Sequence, residues 1–481
     1  MKRIFIFFLV ISFVISIFIL ERPLNSFIRK SSVMFLERLK YYESEANSYK
    51  TFTEENIVID KDLVAFANDL ILIKGKDLSL NIYGSGKVNV EAIQIDDKDL
   101  TEKILYSKEI EIDNIRNLVY STKNGINNTN AKKLNIEIPN DVEGWISIIL
   151  NRGKTSERNI PVFIQANLDH QIAFVEATDT LTAYNPAHNL YNNIPNYYYR
   201  SNGKPNSQRR AVTVPINAPY EYKSFTKTNM NQINCEKEHL LNADLIHKNF
   251  LRSENINFSY VSDRYLDDFE NIKDLKLLIF GSHNEYWTKK KATNLIRFVE
   301  NGGNVLFLGG NHAWREIKRF PGYTYIQGNG ILEEEEFSKL ADNILGTYFD
   351  TSDLNTSAPY EVRNNNIWKE NFDINIKNKS LIAKKGSLIG SCENKIFGGS
   401  SHETDKLLKS SNGFSVLAKG MNKINKGKKG IGGYKDSGAD LVFKEFENGS
   451  KVLNFGSVGL YHSLEDPYIK ELIVKFIKKS N

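Results

Sequence analysis

The stretch that most constrains this chain is residues 273–314, KDLKLLIFGSHNEYWTKKKATNLIRFVENGGNVLFLGGNHAW. An apolar run, Leu275–Phe280, reads as a buried strand. It leads directly into a polar and aromatic turn, Ser282-His283-Asn284-Glu285-Tyr286-Trp287. Lys289–Glu300 has helical spacing and ends at Gly302-Gly303. A second apolar strand, Val305–Leu308, runs into Gly309-Gly310-Asn311-His312. Strand, helix and strand in this order predict a parallel sheet covered on both faces. Ligands of such sheets sit beyond the carboxyl ends of the strands. Two His, a Glu, two Asn and two Trp stand at two such ends.

The same rhythm extends over residues 169–481. Ala173–Val175 and Ser259–Val261 read as further strands. Glu236–Asn249 reads as a helix, with Leu240, Leu241 and Leu245 on its apolar face. Later strands near Leu388, Leu441–Phe446 and Val452–Phe455 predict an added antiparallel layer. A last helix about Ile469–Ile477 closes the domain, and Asn422–Gly433 reads as a loop. Residues 51–168 differ. Short apolar runs such as Ile71–Ile73, Val88–Ala92 and Trp145–Leu150 alternate with Gly, Asn and Asp turns, the rhythm of a small antiparallel sandwich. The bland reading of this segment is a spacer or binding module without chemistry.

Ahead of it, Lys2 and Arg3 precede Ile4–Leu20, apolar except for two serines. At 1.5 Å per residue this run spans roughly 25 Å, enough for a thin bilayer. No small-residue cleavage site follows it. The expectation is an uncleaved transmembrane anchor at 1–22, a stalk helix at 23–50, and a body facing the periplasm or the exterior of a bacterial cell.

Charge narrows the partners. The 63 basic and 58 acidic residues leave a net charge of +5 on 481 residues. No Arg/Lys cluster is interleaved with aromatics, so nothing points to nucleic acid. The two cysteines, Cys235 and Cys392, have no metal-ligand spacing, and their pairing stays open, as does oligomerisation.

Several residues could carry chemistry. In extended backbone, residues i and i+2 point the same way, so His283 and Glu285 aim an imidazole and a carboxylate into one crevice. That pair suits a metal ligand beside a proton-handling partner. The bland reading is a helix-capping turn. Trp287, Trp314 and Asn311 are candidate pocket residues. The Gly309-Gly310 turn would bring backbone N–H groups close to a ligand. In class I glutamine amidotransferases the equivalent elbow carries a nucleophilic Cys. Here Asn311 stands there and no Cys lies near, which argues against a thiol mechanism. Tyr184, in TDTLTAYN, falls in the first strand-end loop. A buried phenolate there would be a hard donor suited to trivalent iron. GGSSHETD adds His402, Glu403 and Asp405, a signal that is weak by itself.

Taken in order, TDTLTAYN, VTVPINAPY, SHNEYW, ENGGNVLFLGGNHAW, GGSSHETD and VLNFGSVGLYHSL resemble the C-terminal domain of the N,N-dimethylformamidase beta (large) subunit. The resemblance covers about 170–481, and SHNEYW and GGNVLFLGGNHAW are its most specific blocks. It implies a glutamine-amidotransferase-like α/β fold and hydrolysis of an amide C–N bond at a mononuclear ferric iron held by two Tyr and one Glu. Carried over, the metal ligands fall on Tyr184, Tyr220 and Glu285, with Tyr191 competing for the second tyrosine. The catalytic pair falls on His283 and Glu403. Two departures stand out. Ala187-His188-Asn189-Leu190-Tyr191 replaces a Gly-Gly-x-Ser-x-Tyr block, and Ala218 replaces an Arg. The substrate therefore stays open, as a small amide or an amidated sugar. Two other readings are retained: a non-catalytic cell-envelope module binding a glycan or protein, and a deacylase of an envelope sugar derivative.

Overall fold

A computed structural model describes residues 56–59, 62–113, 118–121, 125–126, 130–153, 155–184, 213–215, 240–320, 323–330, 335–349, 357–384, 398–422 and 438–481. These lie in one compact unit, Thr53–Asn481. The anchor, the stalk, Cys235, Cys392, Tyr191 and Tyr220 fall outside the described residues. The expectation of a membrane-crossing helix gains no support, since no helix among the described residues is long and apolar enough to cross a membrane.

Residues 56–165 form three small sheets, two of which share one apolar core. The largest has five strands, in the order 71–73, 155–165, 144–152, 86–95 and 102–112. Alternation along Gly86–Ile95 sends Val88, Val90 and Ala92 into a core with Ile146, Ile148 and Leu150. The sequence reading missed Glu102–Ile112, an edge strand whose side chains are mostly exposed. Its Lys and Glu residues hide the apolar signal while protecting the edge from further pairing.

The remainder is built on a nine-stranded sheet. Its elements, in chain order, are β1 (Ile172–Glu176), α1 (Thr178–Tyr184), α2 (Leu241–Ser253), β2 (Ser259–Ser262), β3 (Leu277–Phe280), α3 (Lys289–Glu300), β4 (Asn304–Phe307), β5 (Tyr360–Val362), β6 (Leu381–Ile382), β7 (Ser415–Gly420), β8 (Asp440–Glu445), β9 (Lys451–Asn454) and α4 (Pro467–Ser480). The strand order is β2-β1-β3-β4-β9-β8-β7-β5-β6. The first five strands run parallel; every pairing from β9 to β6 is antiparallel. This corrects the expectation of a mostly parallel, amidotransferase-like sheet. The fold is mixed and strand-rich, and the antiparallel half belongs to the main sheet rather than to an added layer. The reason is local. Only residues 446–450 separate β8 from β9, with Gly449 at φ 85° in the turn. A parallel connection needs a crossover of about a dozen residues, so this loop can close only a hairpin.

Both faces of the parallel half are buried. Along β3, Leu277 and Ile279 join one core with α2 and α4, while Leu278 and Phe280 join another with Leu295, Phe298 and Val299 of α3. Thr288 caps α3 by accepting from the Lys291 N–H at 3.1 Å. The small sheets contribute Phe66, Trp145 and Phe163 to the first core. There the Trp145 indole and Lys248 of α2 both donate to the buried Glu176 carboxylate, at 2.8 and 2.6 Å. Burial outweighs Lys248 and pushes the Glu176 carboxyl up to about 7.

Thr178–Tyr184 of TDTLTAYN is a helix, α1, and not the strand-end loop expected. Six of its seven residues are buried, so it shows no amphipathic stripe. It is anchored by charge. Asp179 meets Arg264, Lys291 and Arg319, and Thr178 donates to Asp263. Burial opposes the Asp179 charge, but these three cations hold its carboxyl well below the usual range.

Candidate active site

Three segments converge beyond the carboxyl ends of β1, β3 and β4. The first is α1, which carries Tyr184 at its last position. The second is the extended segment after β3. There the Thr180 hydroxyl of α1 accepts the backbone N–H of Glu285 at 2.9 Å, fixing this segment against the helix. The third is the turn after β4. Gly310 N–H donates to Ser282 O, Ala313 N–H to Asn284 O and Arg315 N–H to Glu285 O, zipping the two strand ends together. A Cβ on Gly309 would lie 2.0 Å from Ser282 O, so only glycine permits this approach.

His283 and Glu285 do share one side, with Nε2 and Oε2 3.3 Å apart. The Tyr184 hydroxyl donates to the same Glu285 oxygen and lies 3.2 Å from His283 Nε2. The other imidazole nitrogen, Nδ1, faces Gly310 O at 3.3 Å and Glu403 Oε2 at 3.7 Å. Asn311 Nδ2 donates to that Glu403 oxygen at 2.9 Å. Tyr184, Glu285, His283, Glu403 and Asn311 thus form one continuous polar chain. His283, Glu285 and Asn311 are 1–3% exposed, while Tyr184 and Glu403 are half-buried.

Burial disfavours a charged His283, but Glu403, Glu285 and the Gly310 carbonyl outweigh it and push its pKa up to about 9. His312 has the opposite fate. It packs against Phe280 and Phe307 and makes no hydrogen bond, and burial drives its pKa down to about 3. It belongs to the core. So does Trp287, which stacks on Phe280 and donates to Asn284 O at 2.7 Å. Trp314 packs on Tyr348 and Phe349. Among the described residues, no group of three or more His, Cys, Asp or Glu could hold a metal. The two hard donors that do meet, Tyr184 and Glu285, include a phenol.

Thr180 and Asp405 gained no role from the sequence. Thr180 gives no signal there, since it is one of three threonines in α1. Asp405 is signalled only by its i, i+2 relation to Glu403. Both of its oxygens face the backbone N–H of Asn311, at 2.9 and 3.1 Å. Burial raises its carboxyl to about 7, against the opposing Asn311 N–H bond. In the unfolded chain it titrates near 3.9, so the folded state binds the extra proton in between. Stability from this group is therefore full below about pH 4 and is lost as pH rises through about 7. Asp405→Asn should flatten that dependence, by up to ~1.4 kcal/mol per pH unit. Urea unfolding of both proteins at pH 4.5, 6 and 7.5 measures the difference.

The family model described as N,N-dimethylformamidase beta subunit-like, C-terminal, matches residues 122–471. No curated protein matches the chain. Among solved structures, a ThuA-like protein from Bacteroides uniformis aligns at 14% identity and a TM-score of 0.30, over 51% of this chain and 88% of that one. The N-terminal domain of mmIFT52 aligns at 15% identity and a TM-score of 0.27, over 52% and 96%. At these TM-scores neither likeness supports an argument about fold or activity.

Proposed function

The chain belongs to the N,N-dimethylformamidase beta subunit-like family, and from that premise we propose that it hydrolyses the C–N bond of an amide at the Tyr184–Glu285–His283–Glu403 chain. The observation that carries the reading is the convergence on His283 of Tyr184 and Glu285 at Nε2 and of Glu403 at Nδ1.

Tyr184 and Glu285 would hold a metal, with Tyr220 or Tyr191 as a third donor outside the described residues. The described donors fit a trivalent iron: a phenol and a carboxylate, both hard oxygen donors, side by side in a mostly buried site. When bound, the ion supplies Lewis acidity toward the amide carbonyl and draws the pKa of water down. The protein supplies the rest. Glu403, half-buried and held by the Asn311 amide, keeps enough exposure to take a proton from the attacking water. His283, with Nδ1 facing the Glu403 carboxylate, can give a proton to the departing nitrogen. Water adds to the carbonyl carbon, the C–N bond breaks, and a carboxylic acid and an amine are formed. Hydrogen bonds fix every group in the chain before substrate arrives, which limits reorganisation.

Glu403→Gln keeps the bond to Asn311 through its amide oxygen and removes the base. It is expected to lower kcat by about 10²–10⁴, the range of positioned acid–base groups, without loss of bound metal. Amine release from a series of small N-alkyl formamides and acetamides, followed with an amine-reactive fluorophore, tests the reading. No release from any of them by the metal-loaded protein would sink the amidase assignment.

A further inference from the structure

We infer that Asp405 is a positioning residue, which clamps the backbone N–H of Asn311 so that the Asn311 side chain holds Glu403 in place. Three observations carry this. The first is conformational. Asn311 sits at φ 52°, in the left-handed region, at the turn where β4 leaves the sheet. Asparagine is the non-glycine type that takes this conformation most readily, which suits it to the turn, but the conformation still gains from an external hold. The two Asp405 oxygens, at 2.9 and 3.1 Å from the Asn311 nitrogen, supply that hold.

The second is the shared segment. Glu403 and Asp405 are two residues apart, so both can reach the same turn. Asp405 takes the backbone of Asn311, and Glu403 takes its side-chain amide at 2.9 Å. One residue is thereby gripped twice by one segment, and the second grip sets where the Glu403 carboxylate stands.

The third is the rigidity of the frame. The Asp405 N–H donates to Gly456 O at 2.8 Å, and Asp405–Leu407 pairs with Thr347–Phe349. On the turn itself, a Cβ on Gly310 would lie 3.0 Å from both Glu403 O and Ser457 N. The turn is therefore packed closely against this frame, and the clamp adds a hold on the Asn311 backbone. Asp405 is 3% exposed, and its carboxylate accepts from the Asn311 N–H and the Thr347 hydroxyl, while it feels Glu403 and His283 only through their charges. It acts through Asn311.

The kinetic consequence rests on the amide-hydrolase reading; the clamp itself does not. The test compares the full chain with Asp405→Ala, which loses both acceptors, and Asp405→Asn, which keeps one. In Asp405→Ala the Asn311 amide should exchange with solvent at least ~30-fold faster, with β3 and β4 amides unchanged, and Asp405→Asn should restore protection to within ~3-fold. On small N-alkyl formamides, Asp405→Ala should lose about 10- to 100-fold in kcat with KM within ~3-fold, and Asp405→Asn should recover most of it. Continued protection of the Asn311 amide in Asp405→Ala overturns the clamp, whatever the kinetics. Equal kcat losses in both variants, tracking a fall in thermal midpoint, overturn it too. Wild type that releases no amine, with the exchange pattern as described, removes the amidase reading and leaves the clamp standing.

Discussion

Glu285→Gln is expected to abolish metal retention and amide hydrolysis together while leaving the fold intact. The side chain keeps its shape and can still accept from the Tyr184 hydroxyl, so packing changes little. The backbone that carries it is fixed independently, by the Thr180 hydroxyl on its N–H and the Arg315 N–H on its carbonyl. What is lost is the carboxylate charge, 2% exposed, that faces both Tyr184 and His283. A neutral amide oxygen is a weak partner for a trivalent cation, and binding should fall to less than about a tenth of wild type. Lewis-acid stabilisation is worth several kcal/mol. At about 1.4 kcal/mol per tenfold, turnover should drop at least ~10²-fold. Elemental analysis and amine release on the same preparation check both effects. Retained metal with lost activity would move Glu285 from ligand to proton handling. Unchanged activity would remove it from the site.

The second large effect is on stability. Lys291 is fully buried, and its ammonium donates to Asp179 at 3.1 Å, Asp263 at 2.8 Å and the Tyr286 carbonyl at 3.3 Å. Lys291→Met keeps the stem volume and removes the charge. Asp179 retains Arg264 and Arg319, but Asp263 is left facing a second buried carboxylate. Burial and Asp179 already raise the Asp263 carboxyl, with Lys291 opposing them. Breaking a buried pair on one side typically costs about 3–5 kcal/mol. The sign with pH follows. Asp263 in the variant escapes the penalty by binding a proton, so the loss should be smaller at pH 5 than at pH 8. Activity should fall as well, since the same network anchors the helix that presents Tyr184. Urea unfolding at the two pH values checks this; a loss below ~1 kcal/mol at both would show that the arginines suffice without Lys291.

Legibility in the sequence followed the physics of each signal. Helix α3 matches the expected Lys289–Glu300 because its apolar stripe, Thr288 cap and terminal glycines all agree. The strands β3 and β4 were visible as apolar runs. The proximity of His283 to Glu285 followed from extended-strand geometry alone. Other features were hidden because their signals are long-range. Six of the seven residues of helix α1 are buried, against charges from residues 263–319 and against the apolar core, so its own sequence carries no period. Trp287 looked like a pocket wall because aromatics after a strand end often are, whereas its stacking partner Phe280 belongs to the strand before. The antiparallel half of the sheet was foreseen as an appendage, because strand order is set by pairings between distant segments. Asp405 was visible only as a neighbour of Glu403; its target, a backbone N–H, has no residue type to betray it.

The central claim is that Tyr184 and Glu285 share one metal ion in an amide-hydrolysing site. Anomalous diffraction at the iron edge, on crystals of the purified chain, tests it most directly. The account expects a single strong peak bonded to Tyr184 Oη and Glu285 Oε2 at roughly 2 Å from each, typical of metal–oxygen bonds. A map with no peak there, in which the two side chains share only a proton, would contradict it.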